Sequence, residues 1–544
     1  MADQSPLRKS AYNGSTKDER YHLVVGIDFG TTYSGVSFAK SKFDDIGNIN
    51  SLNKWPSFGA PVTQEKVPSQ IAYDTRNVAT GLIERAWGYQ IRPSVSRYAW
   101  MKLHLDRNAA KSDYDDPELY DEMDQGGELG LPAGRTAQDV TADYLKELYT
   151  YLMNTLGERF GTELLEMTAI KFWFTMPAVW SDEAQHKTLE AATKAKIGTR
   201  GKDEICMIRE PEAAALATLK RTIVDWDTRL EVVKQVDPTL VIDEVCVGIG
   251  AKCGATYIDR NFHRLMSKRF GDAFNSITEK TAIGSEFMDD FEWNKKIFGS
   301  KGLELAPMHL FMDAPESEFY RADRGEVILM DYDMEEIFEP IIEIIIKLIR
   351  QQIGSSKTRD ISITNLVLVG GLGDSPYLQQ RLGNWCRSRR PQPITLRALS
   401  NNWNAVAKGA VLRGLEQASV SMRLCQQHYG ITCAIPWVKG ENEPSFYDKF
   451  DRIWYSSGHM SWLVNKNQQI SENTFQSEPF ARVLSAGRNS FDIYVYSCRS
   501  DQAPGRRDNP RTFIPSTPFI SRKLDLLLTS LANKTRREKD WKMY

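Results

Sequence analysis

A long apolar stretch runs from Leu23 to Ala39 and is interrupted once by polar residues. Its first part, up to Ile27, is almost wholly apolar, and a second run with alternating apolar residues begins near Val36. The interruption reads DFGTT and is rich in glycine and threonine. This pattern predicts two strands joined by a tight turn.

Similar patterns predict further elements along the chain. Strands are predicted over residues 67–73, 169–176, 205–208, 366–369, 430–437, 453–464 and 491–496, and those at 169–176 and 366–369 are expected to be buried. Helices are predicted over residues 136–160, 182–197, 286–299, 334–353 and 523–531. Residues 106–134 are acidic, rich in glycine and without a period, so they predict an exposed loop.

Composition narrows the class of protein. A length of 544 residues allows three or four domains, and the net charge of −2 gives no field that would attract nucleic acid or an anionic membrane. The seven cysteines form no C-x-x-C pair, which argues against a zinc site or a disulfide framework and favours a reducing compartment. The first 21 residues are polar and charged, and predict a disordered tail rather than a signal peptide. We therefore expect a cytoplasmic protein without a membrane span.

The first turn has the chemistry of a phosphate site. Gly30 lets the backbone approach a ligand closely, and Thr31 and Thr32 add hydroxyl donors. Asp28, at the end of the first strand, is suited to hold a hydrated Mg²⁺ ion. An ordinary hairpin with a polar turn is the structural alternative. The chain contains no G-x-x-x-x-G-K-[ST] string, so this is not a Walker A loop.

The full string DFGTTYSG resembles the first phosphate motif of the actin-like ATPase superfamily, most closely that of the heat-shock-70 family. The resemblance implies that Asp28 organises Mg²⁺. It also implies that Gly30, Thr31, Thr32 and Tyr33 grip the β- and γ-phosphates of ATP.

Two further residues receive catalytic roles from this resemblance. Lys102, in YAWMKL, occupies the place of a lysine that contacts phosphate, although a solvated surface lysine is an equally good interpretation. Glu210, in REPEAAAL, matches the first connecting motif, whose glutamate reaches the Mg²⁺ shell or acts on the attacking water. Glu212 is interpreted as a carboxylate in the first turn of the following helix.

The predicted helix over 286–299 places Glu292, Lys295 and Lys296 on one face. A surface ion pair is the ordinary interpretation of this spacing. The resemblance implies instead that the carboxylate and the basic residues border the base and ribose of the nucleotide.

The string VLVGGLGDSPYL resembles the adenosine motif of the same family. It assigns Gly370, Gly371, Leu372 and Asp374 to nucleoside binding. Residues 403–415 resemble the second connecting helix, whose small residues permit close packing between lobes.

One expected part is missing from the sequence. The family carries a second phosphate loop with three consecutive glycines, which should lie between Glu212 and Val241. The chain has no Gly-Gly-Gly string, and residues 220–236 contain no glycine. The resemblance resumes in the glycine turn at 249–254 and a helix start near 260–262. Asp225 or Asp227 is a candidate substitute for the lost aspartate.

The resemblance implies an α/β, two-lobed, actin-like (ribonuclease H-like) ATPase fold with a small β-rich C-terminal region. The expected divisions are a tail (1–21), lobe I (22–212), lobe II (213–416) and the C-terminal region with a basic tail (417–544). The WSDEA and REPEAAAL strings point to the divergent, class-12-like branch of the heat-shock-70 family.

The leading hypothesis is an ATP-binding protein that hydrolyses ATP to ADP and phosphate, with nucleotide-dependent lobe closure. Its expected cofactors are ATP or ADP and Mg²⁺, and its expected partner is a protein client or a co-chaperone. Because the second loop is absent, a non-catalytic nucleotide-binding or interaction protein, either a degenerate ATPase or a truncated isoform, stays open. A small-molecule kinase is a third alternative, although no sugar-facing aspartate motif is evident.

Overall fold

The computed structural model describes most of the chain, and the statements below concern this part. It covers residues 21–41, 46–76, 83–92, 95–107, 117–125, 129–222, 233–235, 240–251, 253–282, 284–398, 403–415, 418–440, 444–449, 451–471, 479–480, 494–507, 514–515 and 539–540. Residues 1–20 of the predicted tail, Asp225, Asp227 and the predicted helix over 523–531 lie outside the described residues.

The described elements up to residue 222 mix short strands with helices. The strands are β1 (His22–Phe29), β2 (Tyr33–Lys40), β3 (Asn50–Ser51), β4 (Lys54–Trp55), β5 (Val62–Thr63), β6 (Val67–Pro68), β7 (Gln70–Arg76), β8 (Ile83–Trp87), β9 (Tyr98–Ala99), β10 (Ala169–Met176) and β11 (Glu204–Arg209). The helices are α1 (Met101–Leu105), α2 (Pro117–Gln125), α3 (Ala137–Phe160), α4 (Thr162–Met167), α5 (Asp182–Lys194) and α6 (Glu210–Thr222).

Helices dominate the middle of the chain and strands its end. The next helices are α7 (Ala255–Phe270), α8 (Asp272–Asn275), α9 (Thr278–Thr281), α10 (Glu286–Ile297), α11 (Asp331–Lys357), α12 (Pro376–Ser388) and α13 (Ala405–Gly414). The next strands are β12 (Val233–Gln235), β13 (Leu240–Asp243), β14 (Met308–His309), β15 (Tyr320–Arg321), β16 (Glu326–Val327), β17 (Asn365–Leu368), β18 (Thr395–Ala398), β19 (Ala418–Leu424), β20 (His428–Pro436), β21 (Phe446–Asp448), β22 (Ile453–Val464), β23 (Gln469–Ser471), β24 (Pro479–Phe480), β25 (Val495–Cys498), β26 (Ile514–Pro515) and β27 (Lys539–Asp540).

The N-terminal sheet is a mixed sheet of six strands. Its order is β11-β10-β1-β2-β3, and β6 pairs with β2. β1 runs parallel to β10 and antiparallel to β2, and β10 runs parallel to β11. β1 is buried from Leu23 to Phe29, which explains its uninterrupted apolar run, since a strand covered on both faces has no solvent side. The predicted strand pair and turn are confirmed.

Helices cover both faces of this sheet. Leu23 and Val25 share a hydrophobic core with α3, whereas Val24, on the other face, packs in a cluster with α13. α3 begins where the sequence predicted, because Thr136 and Asp139 form a reciprocal capping box. On the opposite face a Cβ on Gly26 would overlap the backbone of α13, so only glycine permits this close approach.

The later strands form shorter sheets. In the described residues one sheet has the order β12-β13-β19-β23, and β17 pairs with β18 alone. β17 is half-buried over its four residues, so the prediction of a buried strand was wrong here. A second hydrophobic core lies among α7, α10, α11 and α12, with the rings of Phe262 and Phe291 stacked at 3.7 Å.

Two other local predictions need correction. The segment 106–134, predicted as an exposed loop, contains α2, whose Leu119 and Met123 are buried one helical turn apart. The helix predicted to start near residues 260–262 begins earlier, at Ala255, directly after Gly254.

The last described strands form a five-stranded sheet in the order β21-β22-β20-β25-β26. β22 has the predicted bounds, Ile453–Val464. β23 also belongs to this part of the sequence, yet it pairs with β19 in the preceding sheet. The molecule is thus a mixed α/β protein compatible with an actin-like fold, while the two-lobed layout and a separate C-terminal region stay predictions. None of the described helices has the length and apolar character needed to cross a membrane.

Candidate functional site

The turn between β1 and β2 is built as tightly as its sequence suggests. A Cβ on Gly30 would overlap the carbonyl oxygen of Tyr33, so no other residue fits the turn without moving its backbone. Ser69 N–H donates to the carbonyl oxygen of Thr32 at 2.7 Å and ties the turn to the neighbouring segment. Thr31 lies between Gly30 and Thr32 in the turn and is half-buried.

Asp28 lies at the buried end of β1, and both of its carboxylate oxygens accept hydrogen bonds. Lys66 Nζ donates to Asp28 Oδ2 at 2.6 Å, and Thr175 Oγ1 donates to Asp28 Oδ1 at 3.1 Å. Burial alone would raise the pKa of this carboxyl group, but the charges of Lys66 and Lys102 and the two hydrogen bonds outweigh burial and hold the pKa below its usual value. Asp28 is therefore a carboxylate at neutral pH.

The two residues with predicted catalytic roles meet beside Asp28. Lys102 Nζ lies 2.6 Å from Glu210 Oε1, although the residues are far apart in sequence. Lys102 is 4% exposed, so the interpretation as a solvated surface lysine was wrong. Its ammonium also lies 5.2 Å from the ring centre of Trp180 and 5.9 Å from that of Phe29.

The local backbone explains how this pair forms. Trp100, just before α1, has a φ of 53°, a left-handed conformation that costs free energy in a residue other than glycine. Glu210 is the first residue of α6, where the helix dipole favours a carboxylate. Glu212 lies in the same first turn, as predicted. It accepts two hydrogen bonds from Arg423 at 2.5 and 2.8 Å.

The charged face of α10 forms the predicted cluster. Lys295 Nζ pairs with Glu292 and lies 2.6 Å from Asp259 Oδ1, while Lys296 Nζ lies 3.3 Å from Glu292 Oε1. Burial would lower the pKa of Lys295, but the carboxylates of Asp259 and Glu292 outweigh it and raise the pKa. Lys295 thus holds the cluster together, and Lys296 is the more exposed of the two lysines.

The predicted adenosine motif follows β17 as a glycine turn. Gly370 has a φ of 85°, and a Cβ added there would meet no atom within 4 Å. Leu372–Asp374 form a single 3₁₀ turn. Burial, and then the charge of Glu65, raise the pKa of Asp374. Gly371 faces Trp403, because a Cβ on this glycine would lie 3.2 Å from Trp403 Nε1.

Trp403 brings these segments together. Its ring meets the ring of Tyr33 edge-on, with 5.2 Å between their centres, and its Nε1 lies 3.2 Å from the position that a Cβ on Gly371 would take. Burial, followed by the negative charge of Glu292, raises the pKa of Tyr33. Glu292 of α10 and Gly371 of the glycine turn therefore lie around Trp403 and its neighbour Tyr33 in the first loop. Their roles in binding stay predictions.

The chain is similar to two class-12 heat-shock-70 proteins. It is 22% identical to Heat shock 70 kDa protein 12A of Mus musculus, with 79% of this chain and 74% of the relative covered. It is also 22% identical to Heat shock 70 kDa protein 12B of Homo sapiens, with 89% of this chain and 81% of the relative covered. Over most of its length the chain resembles heat-shock-70-like proteins of the divergent class-12 branch. No family model matches it.

Sequence reasoning missed four residues of the candidate site, which are Lys66, Thr175, Trp403 and Asn404. Asn404 Nδ2 donates to the carbonyl oxygen of Glu65 at 2.8 Å, whereas its buried Oδ1 has no hydrogen-bond partner among the described residues. Lys66 had a usable signal, because it directly precedes a predicted strand, and Trp403 and Asn404 begin the string that resembles the second connecting helix. Thr175 had none, since only the fold brings it close to Asp28.

Part of the segment in which the second phosphate loop was expected is described in the structure. The described residues between Glu212 and Val241 continue α6 and then form β12, which pairs with β13. Further on, the predicted glycine turn approaches the segment that follows β10, since a Cβ on Gly250 would lie 3.2 Å from Val179 Cγ1. The described residues also form surface pockets of about 490, 310 and 540 Å³. None of the predicted site residues lines these pockets.

The residues of the candidate site fit one of the two expected ligands better than the other. Open space beside Gly370 fits a nucleoside, because a Cβ added there would meet no atom within 4 Å. Asp28 does not fit a divalent ion as it stands, because the ammonium of Lys66 lies 2.6 Å from Oδ2 and already occupies the place of a cation beside this carboxylate. Among the described residues no group of three or more His, Cys, Asp or Glu side chains could hold a metal.

Proposed function

We propose that this heat-shock-70-like chain binds ATP and ADP beside the turn between β1 and β2. The observation that carries the proposal is the contact of Trp403 with both Tyr33 and Gly371. Two segments that the resemblance assigns to the phosphates and the nucleoside are thereby adjacent. Aromatic side chains bind flat bases well, since stacking needs no specific hydrogen bonds.

We further propose that the bound ATP is hydrolysed slowly. Glu210 would accept a proton from the attacking water, and Lys102 would hold Glu210 in place and add positive charge beside the phosphates. Slow turnover is expected because the chain lacks the second glycine-rich loop, so fewer backbone donors stabilise the charge of the transition state. Nucleotide-dependent closure and a protein client or co-chaperone-like partner stay predictions.

The first test is calorimetric titration of the purified full chain with ATP and with ADP in excess Mg²⁺, with circular dichroism to confirm that the protein is folded. We expect micromolar or tighter binding, equivalent to about −8 kcal/mol. A folded protein that binds neither nucleotide would contradict the proposal and leave a non-catalytic interaction protein.

Hydrolysis is tested separately by phosphate release. Glu210→Gln keeps the shape of the side chain and removes its basicity, so turnover should fall about 100-fold while ATP binding is retained. Glu118→Gln, at an exposed pair with Arg264, is the matched control and should leave turnover unchanged. Equal turnover in the two variants would exclude Glu210 as the base. Turnover that rises when a sugar or polyol is added would favour a small-molecule kinase.

A further inference from the structure

Lys66 lies where the resemblance places a metal ion. Its Nζ is 2.6 Å from Asp28 Oδ2, and the two residues are only 7% and 4% exposed. The backbone fixes this position, because β6 begins at the next residue and pairs with β2 at Ser34 and Tyr33. The lysine is thus held beside the predicted phosphate loop by the sheet itself.

The surrounding residues leave room for this side chain. A Cβ on Gly35 would lie 3.2 Å from Lys66 Cγ and from Lys66 Cε, and it would overlap Asn404 Oδ1. A larger residue at this position in β2 would therefore push against the lysine. The absence of a side chain at Gly35 is what allows the aliphatic part of Lys66 to pass over the strand.

The charges near Asp28 are already balanced. Two carboxylates, Asp28 and Glu210, each pair with one ammonium, from Lys66 and Lys102 respectively. A buried charge is costly without a partner, so each ion depends on its counterpart. A divalent ion at Asp28 would have to displace the buried ammonium of Lys66 from the carboxylate with which it pairs, which costs free energy.

We propose that Lys66 is the resident cation of the phosphate site, so that nucleotide binding does not require Mg²⁺. This inference rests on the proposed function. An ammonium group has three donors, and in the described residues Lys66 uses one of them, on Asp28. Lysine binds phosphate as a point charge in other nucleotide sites, so its chemistry suits this role.

The test compares ATP binding to the full-length protein in excess Mg²⁺ and in excess EDTA. The dissociation constants should agree within about threefold. Lys66→Met keeps the aliphatic length and removes the charge, so it should weaken binding in EDTA about tenfold or more, and Mg²⁺ should restore part of the loss. ATP binding by the wild type in Mg²⁺ only would overturn the inference and keep the proposed function.

A second measurement uses the metal alone and needs no nucleotide. Mn²⁺ is titrated into the protein, and free Mn²⁺ is followed by its paramagnetic resonance signal. Wild type and Asp28→Asn should bind equally, whereas Lys66→Met should gain one site that the double variant Asp28→Asn/Lys66→Met lacks. A Mn²⁺ site in the wild type that Asp28→Asn abolishes would overturn the inference. The comparison of wild type with Asp28→Asn tests whether Asp28 holds a divalent ion even where Lys66→Met fails to fold, and it distinguishes a failure of this inference from a failure of the proposed ATP binding.

Discussion

The two strands that precede the predicted nucleotide turns differ sharply in their surroundings. β1 pairs with β10 over six residues and with β2 over seven, and it is buried along almost its whole length. β17 pairs with β18 over four residues and is half-buried throughout. The turn after β1 therefore stands on a rigid sheet, whereas the glycine turn after β17 stands on a two-stranded ribbon.

The missing second phosphate loop belongs to the less buried side of this comparison. The two strands that should flank this loop would be expected between α6 and β13. In the described residues the later strands are divided between the β12-β13-β19-β23 sheet and the β17–β18 pair. A two-stranded ribbon has little stability of its own and depends on helices packed against it. The side of the site carried by β17 should therefore be the less stable one.

The largest expected effect is at the crossing of α6 and α13, where a Cβ on Gly409 would overlap the backbone of Ala213. Gly409→Ala must push the two helices apart, and we expect it to lower the free energy of unfolding by more than about 3 kcal/mol. Urea denaturation measures the change. Gly157→Ala, within α3, is the control, because its Cβ would come no closer than 3.9 Å to another residue. An unchanged free energy of unfolding in Gly409→Ala would show that this contact does not hold the two helices together.

Matched leucine substitutions compare the two sheets directly. Leu23, in β1, is 1% exposed, whereas Leu366, in β17, is half-buried. Leu23→Ala should cost about 3 kcal/mol of unfolding free energy, because it leaves a cavity in a closed core. Leu366→Ala should cost about 1 kcal/mol, since solvent already reaches this strand. If the two variants lost equal unfolding free energy in denaturant titrations, β1 and β17 would not differ in burial as described.

A smaller effect is expected from mild acid. Burial, and then the charge of Arg260, lower the pKa of His263 in α7 from 6.5 to about 4. The unfolded chain thus takes up a proton between these values and the folded protein does not. The stabilisation by the neutral ring is complete above pH 6.5 and is lost as the pH falls towards 4.

At pH 5 the loss should be about 2 kcal/mol relative to pH 7.5, and His263→Gln should remove most of it. Unfolding free energies at the two pH values provide the measurement. Burial also lowers the pKa of His104, so part of the acid sensitivity should persist in the variant. An unchanged pH profile in His263→Gln would show that the ring is not buried as described.

Local signals explain what the sequence predicted well. The strand β10 was found from its apolar run, and α3 was found from its apolar stripe after Thr136, both of which depend on neighbours in sequence. The strand pair around DFGTTYSG was found for the same reason. The helix α2 was missed because an acidic segment hid the two buried residues, Leu119 and Met123, that hold it in place.

The site shows what local signals cannot supply. The pairs Lys66–Asp28 and Lys102–Glu210 join residues 38 and 108 positions apart, and the Tyr33–Trp403 contact spans most of the chain. No period or cap encodes such contacts, because tertiary packing alone creates them. The resemblance placed Lys102 and Glu210 in one site, but it could not reveal that Lys66 already neutralises Asp28.

The crossing of α6 and α13 has a mechanical consequence. Ala213 and Gly409 meet without long side chains between them, so the backbones of the two helices come close together at this point. α6 follows β11 directly and is bonded through Glu212 to Arg423 of β19, whereas α13 lies against β1 and precedes β19 in the sequence. Each helix is therefore joined both to the N-terminal sheet and to the β12-β13-β19-β23 sheet. A displacement of either helix would be transmitted to both sheets, because close-packed interiors transmit strain.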